Sequence, residues 1–443
     1  MKVGIIDAEI IGKTKHRFPN LCSMKLSYYH KSIGDDVELL LSYDNLDQYD
    51  KVYISKVFTW TEVPEVVLEM ENVEYGGTGF YYDKAPKLPC EIEHSMPDYH
   101  LYDEWVAQCI EGGAKESEFS YYLEYSIGYL TRGCFRGCHF CVNRNCKRAE
   151  AASPLSEFMD ESRPKLCFLD DNFLSYPGWR ELIEPVKATG KLFQFKQGLD
   201  ERLLTKEKVH ELASWRYDGE FIFAFDNIED KQLIMSKLML IRAEPRWKKG
   251  LKFYVFCGRD KNDVYDEAFW RQDIENLFER IFILKTFGAI PYVMRFEKVY
   301  ESEYSAFYAT VAAWVNQPAF LKKSTFRDFA MFRGMNKEGQ KKNKHDTEAY
   351  LFNRGKKQSS WLAMEDIENR YPELADKYFH FVGNPSTKYE WLDYLQGGVV
   401  MSELIKIISQ RDKLLDFMDR YHLTGLREAT EDQLREYIKE VLQ

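Results

Sequence analysis

The sequence predicts an α/β protein in three parts. These are an N-terminal Rossmann-like (flavodoxin-like) domain over residues 1–112, a central (βα)6 partial TIM barrel over 120–330, and a helical C-terminal domain over 331–443. Three observations predict this. Short strand and helix patterns alternate through the first hundred residues. Six apolar runs then recur with helix-like segments between them. Beyond about residue 330 the strand signals stop. A chain of 443 residues is also too long for one ordinary domain.

In the first part, "KVGIIDAE" is an apolar run ending in acids, and "PNLCSMKLSYYHKSIG" has helical periodicity with Pro19 at its start and Gly34 as its stop. "DVELLL" and "KVYISKVF" are strand runs, and "VEYGGTGF" is a strand feeding a glycine turn. Such alternation implies a parallel sheet with helices on its faces. "IGKT" at 11–14 resembles the tail of a phosphate loop, but Asp7 stands where the earlier glycine is required, so that motif fails.

In the second part the runs are "SIGYLTRG", "KLCFLDDN", "LFQFKQGL", "EFIFAFDN", "LKFYVFCG" and "IPYVMRFE". Segments such as "WRELIEPVKATG", "TKEKVHELASW" and "DIENLFERIFILKTFG" separate them. Six strand–helix repeats suit a right-handed parallel barrel or part of one. Most runs end in a polar residue, where such folds place ligands. In the third part, "RGMNKEGQKKNKHDTEAYLFNRGKK" carries eight Lys/Arg against three acids. It reads as a solvated linker or as a contact for a phosphate-bearing or acidic substrate. "MSELIKIISQRDKLLDFMDRYH" is amphipathic, and Thr430 with Gln433 forms a capping box.

The net charge of -10 argues against a general nucleic-acid binder. No run approaches 18 apolar residues, so no membrane span or membrane partner is expected. The N-terminus lacks the features of a signal peptide. The expected location is the cytoplasm, where thiols stay reduced. An odd number of cysteines, nine, does not suggest a disulfide framework.

One stretch stands out. "GYLTRGCFRGCHFCVNRNC" carries Cys134, Cys138 and Cys141 as C-x3-C-x2-C, with Cys146 five positions on. A structural zinc site would take four N or S ligands, with Cys146 or His139 completing the set. A redox dithiol needs only one CxxC and leaves Cys134 unexplained. Unrelated buried thiols are improbable at this density. Thiolates can also hold an iron–sulfur cluster. Three of them on a four-iron cluster leave one iron open to a small N,O-donor ligand, as a catalytic metal keeps an exchangeable position.

The C-x3-C-x-aromatic-C signature just after the first strand of a six-fold βα repeat resembles that of the radical S-adenosylmethionine (SAM) enzymes. The resemblance implies a barrel of the radical SAM type and a [4Fe–4S] cluster held by Cys134, Cys138 and Cys141. It also implies SAM on the open iron and reductive cleavage to a 5′-deoxyadenosyl radical that abstracts hydrogen from an unknown substrate. Phe140, at the family's aromatic position, would lie by the adenine. An electron donor such as flavodoxin or ferredoxin is implied as partner. Cys146 has no family role. Gly133 and Gly137 would let the backbone wrap the cluster, and Arg132 and Arg136 would offset its charge, with a solvated surface role as the alternative for Arg136.

The resemblance also implies SAM contacts at the ends of the strands. Asp170, Asp171 and Asn172 would hold the SAM ammonium, or cap the helix that follows. Gln197 and Asp200 would reach the ribose hydroxyls, or form turns. Asp226 ends the fourth strand. Arg295 ends the sixth and would fork onto the SAM carboxylate or an acidic substrate, or form a surface ion pair. Cys22, Cys90, Cys109, Cys167 and Cys257 are spaced for buried apolar thiols rather than an auxiliary cluster.

The first domain resembles the cobalamin-associated subgroup, on "PNLCSMKLSYYHKSIGDDVELL", "YDKVYISKVFT", "GGTGF" and "IEHSMPDY". Many such domains supply a cobalamin ligand through D-x-H-x-x-G. Asp98-Tyr99-His100 begins that motif, but Asp103 stands at the glycine, and the location is wrong. The expectation is a degenerate domain without cobalamin that covers the barrel mouth. A cobalamin-dependent methyl or alkyl transferase is the alternative enzyme. A zinc-stabilised module binding nucleic acid through "KKNKH" is the alternative from another class.

Overall fold

The computed structural model describes residues 1–333 and 360–380, together with 416–417, 419–422, 433 and 436. Its contacts divide the chain into two units. The first is Met1–Leu199 with Arg216–Asp218, and the second is Asp200–Trp215 with Gly219–Gln443.

The first unit opens with β1 (Lys2–Asp7), β2 (Asp36–Leu39), β3 (Lys51–Ser55) and β4 (Val73–Gly76). They pair in parallel in the order β2-β1-β3-β4. This matches the doubly wound expectation, and it sets a topological switch point at β1. Strand alternation sorts the side chains. Val3 and Ile5 enter one core with Met24, Tyr102 and Trp105. Ile6, Val52 and Ile54 enter another with Leu40 and Leu46. The helix Leu21–Ser32 starts where Asn20 accepts the Ser23 N–H at 3.1 Å. It ends in a Schellman pattern at Gly34, with Gly34 N bonded to Lys31 O and Asp35 N to His30 O.

The same unit then forms β5 (Tyr125–Gly128), β6 (Thr131–Arg132), β7 (Glu150–Ala151), β8 (Lys165–Phe168) and β9 (Leu192–Phe195). β5, β8 and β9 make a parallel sheet, and β6 and β7 an antiparallel ribbon. Leu21 shares a core with Tyr125, Ile127, Cys167 and Leu169. The contacts therefore group the first 112 residues with the first half of the six-fold repeat.

The second unit carries β10 (Phe221–Ala224), β11 (Leu251–Cys257) and β12 (Ile290–Arg295), also parallel. All six expected strands exist in order, but they hydrogen-bond as two sheets of three. On the free edge of β9, Arg216–Asp218 takes the place of a full strand. Phe193 N bonds Arg216 O, and Asp218 N bonds Phe193 O at 2.7 Å. The buried Tyr217 hydroxyl accepts the Phe195 N–H at 2.9 Å. In the second unit, buried Arg280 donates to Phe225 O, Asp226 O and Phe256 O. A guanidinium is tolerated there because carbonyls at the ends of β10 and β11 satisfy it.

Phe278, on the helix Glu267–Thr286, packs its ring against Phe326, Tyr378 and Phe379 at 5.4–5.6 Å. The helices Phe326–Arg333 and Pro372–Tyr378 thus share a core with the repeat's helices rather than forming one of their own. The basic run from 334 onward, Thr430 and most of the amphipathic stretch lie outside the described residues. No helix among the described residues is long and apolar enough to cross a membrane.

Candidate metal centre

The four clustered cysteines lie on the excursion between β6 and β7, at the carboxyl end of β5. The ribbon pairs Arg132 with Glu150 and Thr131 with Ala151, closing the neck of the loop. Gly133 enters it at φ +93°, and a Cβ there would stand 2.4 Å from Arg148 O. Gly137 sits at φ +59°. Only glycine meets both demands at Gly133. Beyond it the chain winds in tight turns. Cys141 N bonds Cys138 O at 2.9 Å, Arg144 N bonds Cys141 O at 3.2 Å, and Cys146 N bonds Asn143 O at 3.0 Å.

The Cys134 and Cys141 sulfurs receive N–H donors. Cys134 Sγ accepts Arg136 N at 3.5 Å and Asn172 Nδ2 at 3.3 Å. Cys141 Sγ accepts Asn143 N at 3.4 Å. All four cysteines are half-buried. Burial pushes the Cys141 thiol up.

Asp170, Asp171 and Asn172 follow β8, where the two carboxylates meet the neighbouring cysteine loop. The fully buried Asp170 carboxylate accepts Leu130 N, Thr131 N and Thr131 Oγ1 at 3.1, 2.6 and 2.6 Å. Burial pushes it up to about 7 against these donors. Asp171 accepts Gly133 N at 2.7 Å and Asn143 Nδ2 at 2.6 Å, and burial raises it as well. None of the three caps the following turn through its side chain. They brace the cysteine loop.

Residues that the sequence did not single out complete the brace. Tyr82 OH donates to Phe140 O at 2.6 Å. Asp83 accepts Arg144 Nε and Asn145 Nδ2, each at 2.8 Å. The "YYDK" after the glycine turn was the only trace of them. The Phe140 ring is half-buried, 5.3 Å from that of His139. Arg132 is drawn away from a charge-offsetting role, because it pairs with Glu93 at 2.9 Å and lies over the Tyr129 ring. Arg136 lies over Phe135.

Gln197 is exposed after β9. Asp200, Asp226 and Arg295 belong to the second unit. There Asp200 takes Arg202 Nε at 2.8 Å. Asp226 accepts Phe256 N at 3.1 Å, and burial raises it. Arg295 lies over the Tyr300 ring at 4.8 Å. Cys109, Cys167 and Cys257 are buried thiols as expected, and Cys22 is half-buried. Cys90 is exposed, against expectation.

Among the described residues no three His, Cys, Asp or Glu side chains are placed to hold one metal ion. A zinc site needs its sulfurs about 2.3 Å from a single centre, and Cys134, Cys138, Cys141, Cys146 and His139 do not form one. A four-iron cube spreads three thiolates over three irons and so asks for wider spacing. Three thiols within eight positions, N–H donors aimed at two of them, and left-handed glycines at the turns are a donor set that fits such a cluster.

At the switch point of the first sheet, Asp7, Glu9 and Gly12 carry the D-x-H-x-x-G spacing directly after β1, with Glu9 at the histidine's position. Glu9 is spent internally. Its Oε1 accepts Val57 N and Phe58 N at 3.1 Å each, and its Oε2 accepts Thr61 Oγ1 at 2.8 Å. Asp7 accepts Tyr102 OH at 2.9 Å, and burial pushes it up to about 6.

No family model matches the chain, and no curated protein matches it. Three solved structures do, all of the cobalamin-dependent S-adenosylmethionine radical enzyme OxsB. With aqua-cobalamin and S-adenosylmethionine bound, it matches at 14% identity, 95% of this chain, 71% of that chain and a TM-score of 0.40. With aqua-cobalamin alone, the values are 11%, 99%, 83% and 0.41. The apo form gives 14%, 95%, 70% and 0.38. Matches at this level assign no activity to this chain. The expectation of a chain without cobalamin finds no support in them.

Proposed function

We propose that this chain is a radical SAM enzyme in which Cys134, Cys138 and Cys141 hold a [4Fe–4S] cluster that leaves one iron open for SAM. The observation that carries this reading is the cysteine loop itself. Its three thiols stand between two short strands at the carboxyl end of β5, with N–H groups directed at Cys134 Sγ and Cys141 Sγ. When bound, the cluster supplies one electron that cleaves the SAM sulfonium and yields a 5′-deoxyadenosyl radical for hydrogen abstraction.

The chain's own residues do the holding. Gly133 and Gly137 turn the backbone around the cluster. Asp170 and Asp171 fix the loop's neck from behind. A flavodoxin or ferredoxin is the electron source in this reading. The test is anaerobic reconstitution with SAM and a reductant, reading 5′-deoxyadenosine. Wild type should form it and Cys138→Ala should not. None from wild type with an intact cluster rejects the reading.

A second reading, a cobalamin-dependent methyl or alkyl transferase, is favoured by the four-stranded parallel sheet with its switch point at β1. Glu9 in place of histidine removes the lower ligand, so any cobalamin would bind without one from that position. Stoichiometric uptake by the purified chain supports this reading, and no uptake rejects it.

A further inference from the structure

We infer that Asn172 is a positioning residue that sets the reduction potential of the centre through its hydrogen bond to Cys134 Sγ. This rests on the reading of Cys134 as a cluster ligand. Asn172 is 3% exposed, and its Nδ2 stands 3.3 Å from that sulfur. It does not swing freely. It follows Asp171, whose carboxylate grips Gly133 N and Asn143 Nδ2 on either side of the cysteines. Its own backbone carbonyl is held by Ser175 N at 3.1 Å and Ser175 Oγ at 2.8 Å. The amide is therefore aimed by the β8 turn before any metal arrives.

A fixed N–H on a thiolate sulfur stabilises the more negative, reduced form of a cluster and so raises its potential. Of the donors to these sulfurs, Asn172 contributes through a side chain, whereas Arg136 and Asn143 contribute backbone N–H groups. Substitution can remove this side-chain donor without moving the loop's backbone.

Asn172→Leu keeps the branched shape and the number of heavy atoms and deletes the donor. Asn172→Asp deletes the donor and adds charge. Each is reconstituted anaerobically beside wild type, and iron, sulfide and the midpoint potential are measured. Both variants should keep iron and sulfide. At a fixed ambient potential, Asn172→Leu should show a reduced-to-oxidised ratio lower by about tenfold, or ~59 mV for one electron, and Asn172→Asp should lie lower still.

Wild-type potentials in both variants with full clusters overturn the inference and leave the proposed function standing. A wild type that takes up no iron and sulfide sinks the proposed function instead. Where the variants fail to fold, wild type grown with asparagine carrying 15N only in its side-chain amide decides. The reduced cluster should show a 15N hyperfine coupling from that amide, and its absence overturns the inference.

Discussion

The carboxylate of Asp171 accepts the backbone N–H of Gly133 at 2.7 Å. Its other oxygen takes the Asn143 side-chain amide at 2.6 Å. One carboxylate after β8 thus holds both ends of the stretch that carries Cys134, Cys138 and Cys141. Asp171→Ala leaves Gly133 N without this acceptor, and a lost charged hydrogen bond of this kind costs about 1.5–3 kcal/mol. The expected result is a lower unfolding midpoint for the apo chain and several-fold less iron retained after gel filtration. Wild-type values for both would show that the loop holds itself.

Gly133→Ala meets two obstacles at once. The residue sits at φ +93°, and the new methyl would press on Arg148 O at 2.4 Å. Gly113 is the control, at φ +99° with nothing within 4 Å of a Cβ. Gly113→Ala should cost only the left-handed penalty of about 1–2 kcal/mol. Gly133→Ala should cost more and should abolish iron uptake. Thermal unfolding and iron content of the two variants side by side check this.

How much of this was legible in the sequence depends on how local the cause was. The six strands of the repeat were visible because "IPYVMRFE" and its five counterparts are apolar runs between helical patterns. The cysteine loop was visible because thiols at such spacing have few structural uses. The roles of Asp170 and Asp171 were not. Whether a carboxylate at a strand end faces a ligand or the neighbouring loop is set by where Leu130, Thr131 and Gly133 point their N–H groups, and that is a tertiary fact. The break after β9 was hidden for the same reason, since a single bridge at Tyr217 and its hydroxyl take the edge in place of a full strand. Asp7-x-Glu9 was hidden by a single residue, because glutamate stands where the motif carries histidine.

Glu201 gives the second unit a pH dependence. It is 1% exposed, and its Oε2 accepts Ala224 N at 3.2 Å. Arg202 Nε lies 3.8 Å from its Oε1, shared with Asp200 at 2.8 Å. Burial, reinforced by the Asp200 charge, pushes Glu201 up to about 8. The unfolded value is about 4.3. Between these values the native chain keeps a proton that the unfolded chain has lost. Stability therefore falls as pH rises through the window, by up to ~1.4 kcal/mol per pH unit from this group, and levels off above about pH 8. Glu201→Gln should flatten that part of the slope. Urea unfolding between pH 5 and 9 checks it, and an unchanged slope would place Glu201 as ionised throughout.

Cys146 tests the number of protein ligands. It lies five positions past Cys141, and its backbone closes the last turn of the loop through Asn143 O. If four sulfurs closed the cluster, no iron would remain for SAM, and the proposed chemistry would have no site. Cys146→Ala should therefore keep full iron and sulfide, and adding SAM should still change the spectrum of its reduced cluster. Cys134→Ala, Cys138→Ala and Cys141→Ala should each lose the cluster. Loss of iron from Cys146→Ala equal to that from Cys138→Ala would mean a closed centre that transfers electrons without binding SAM.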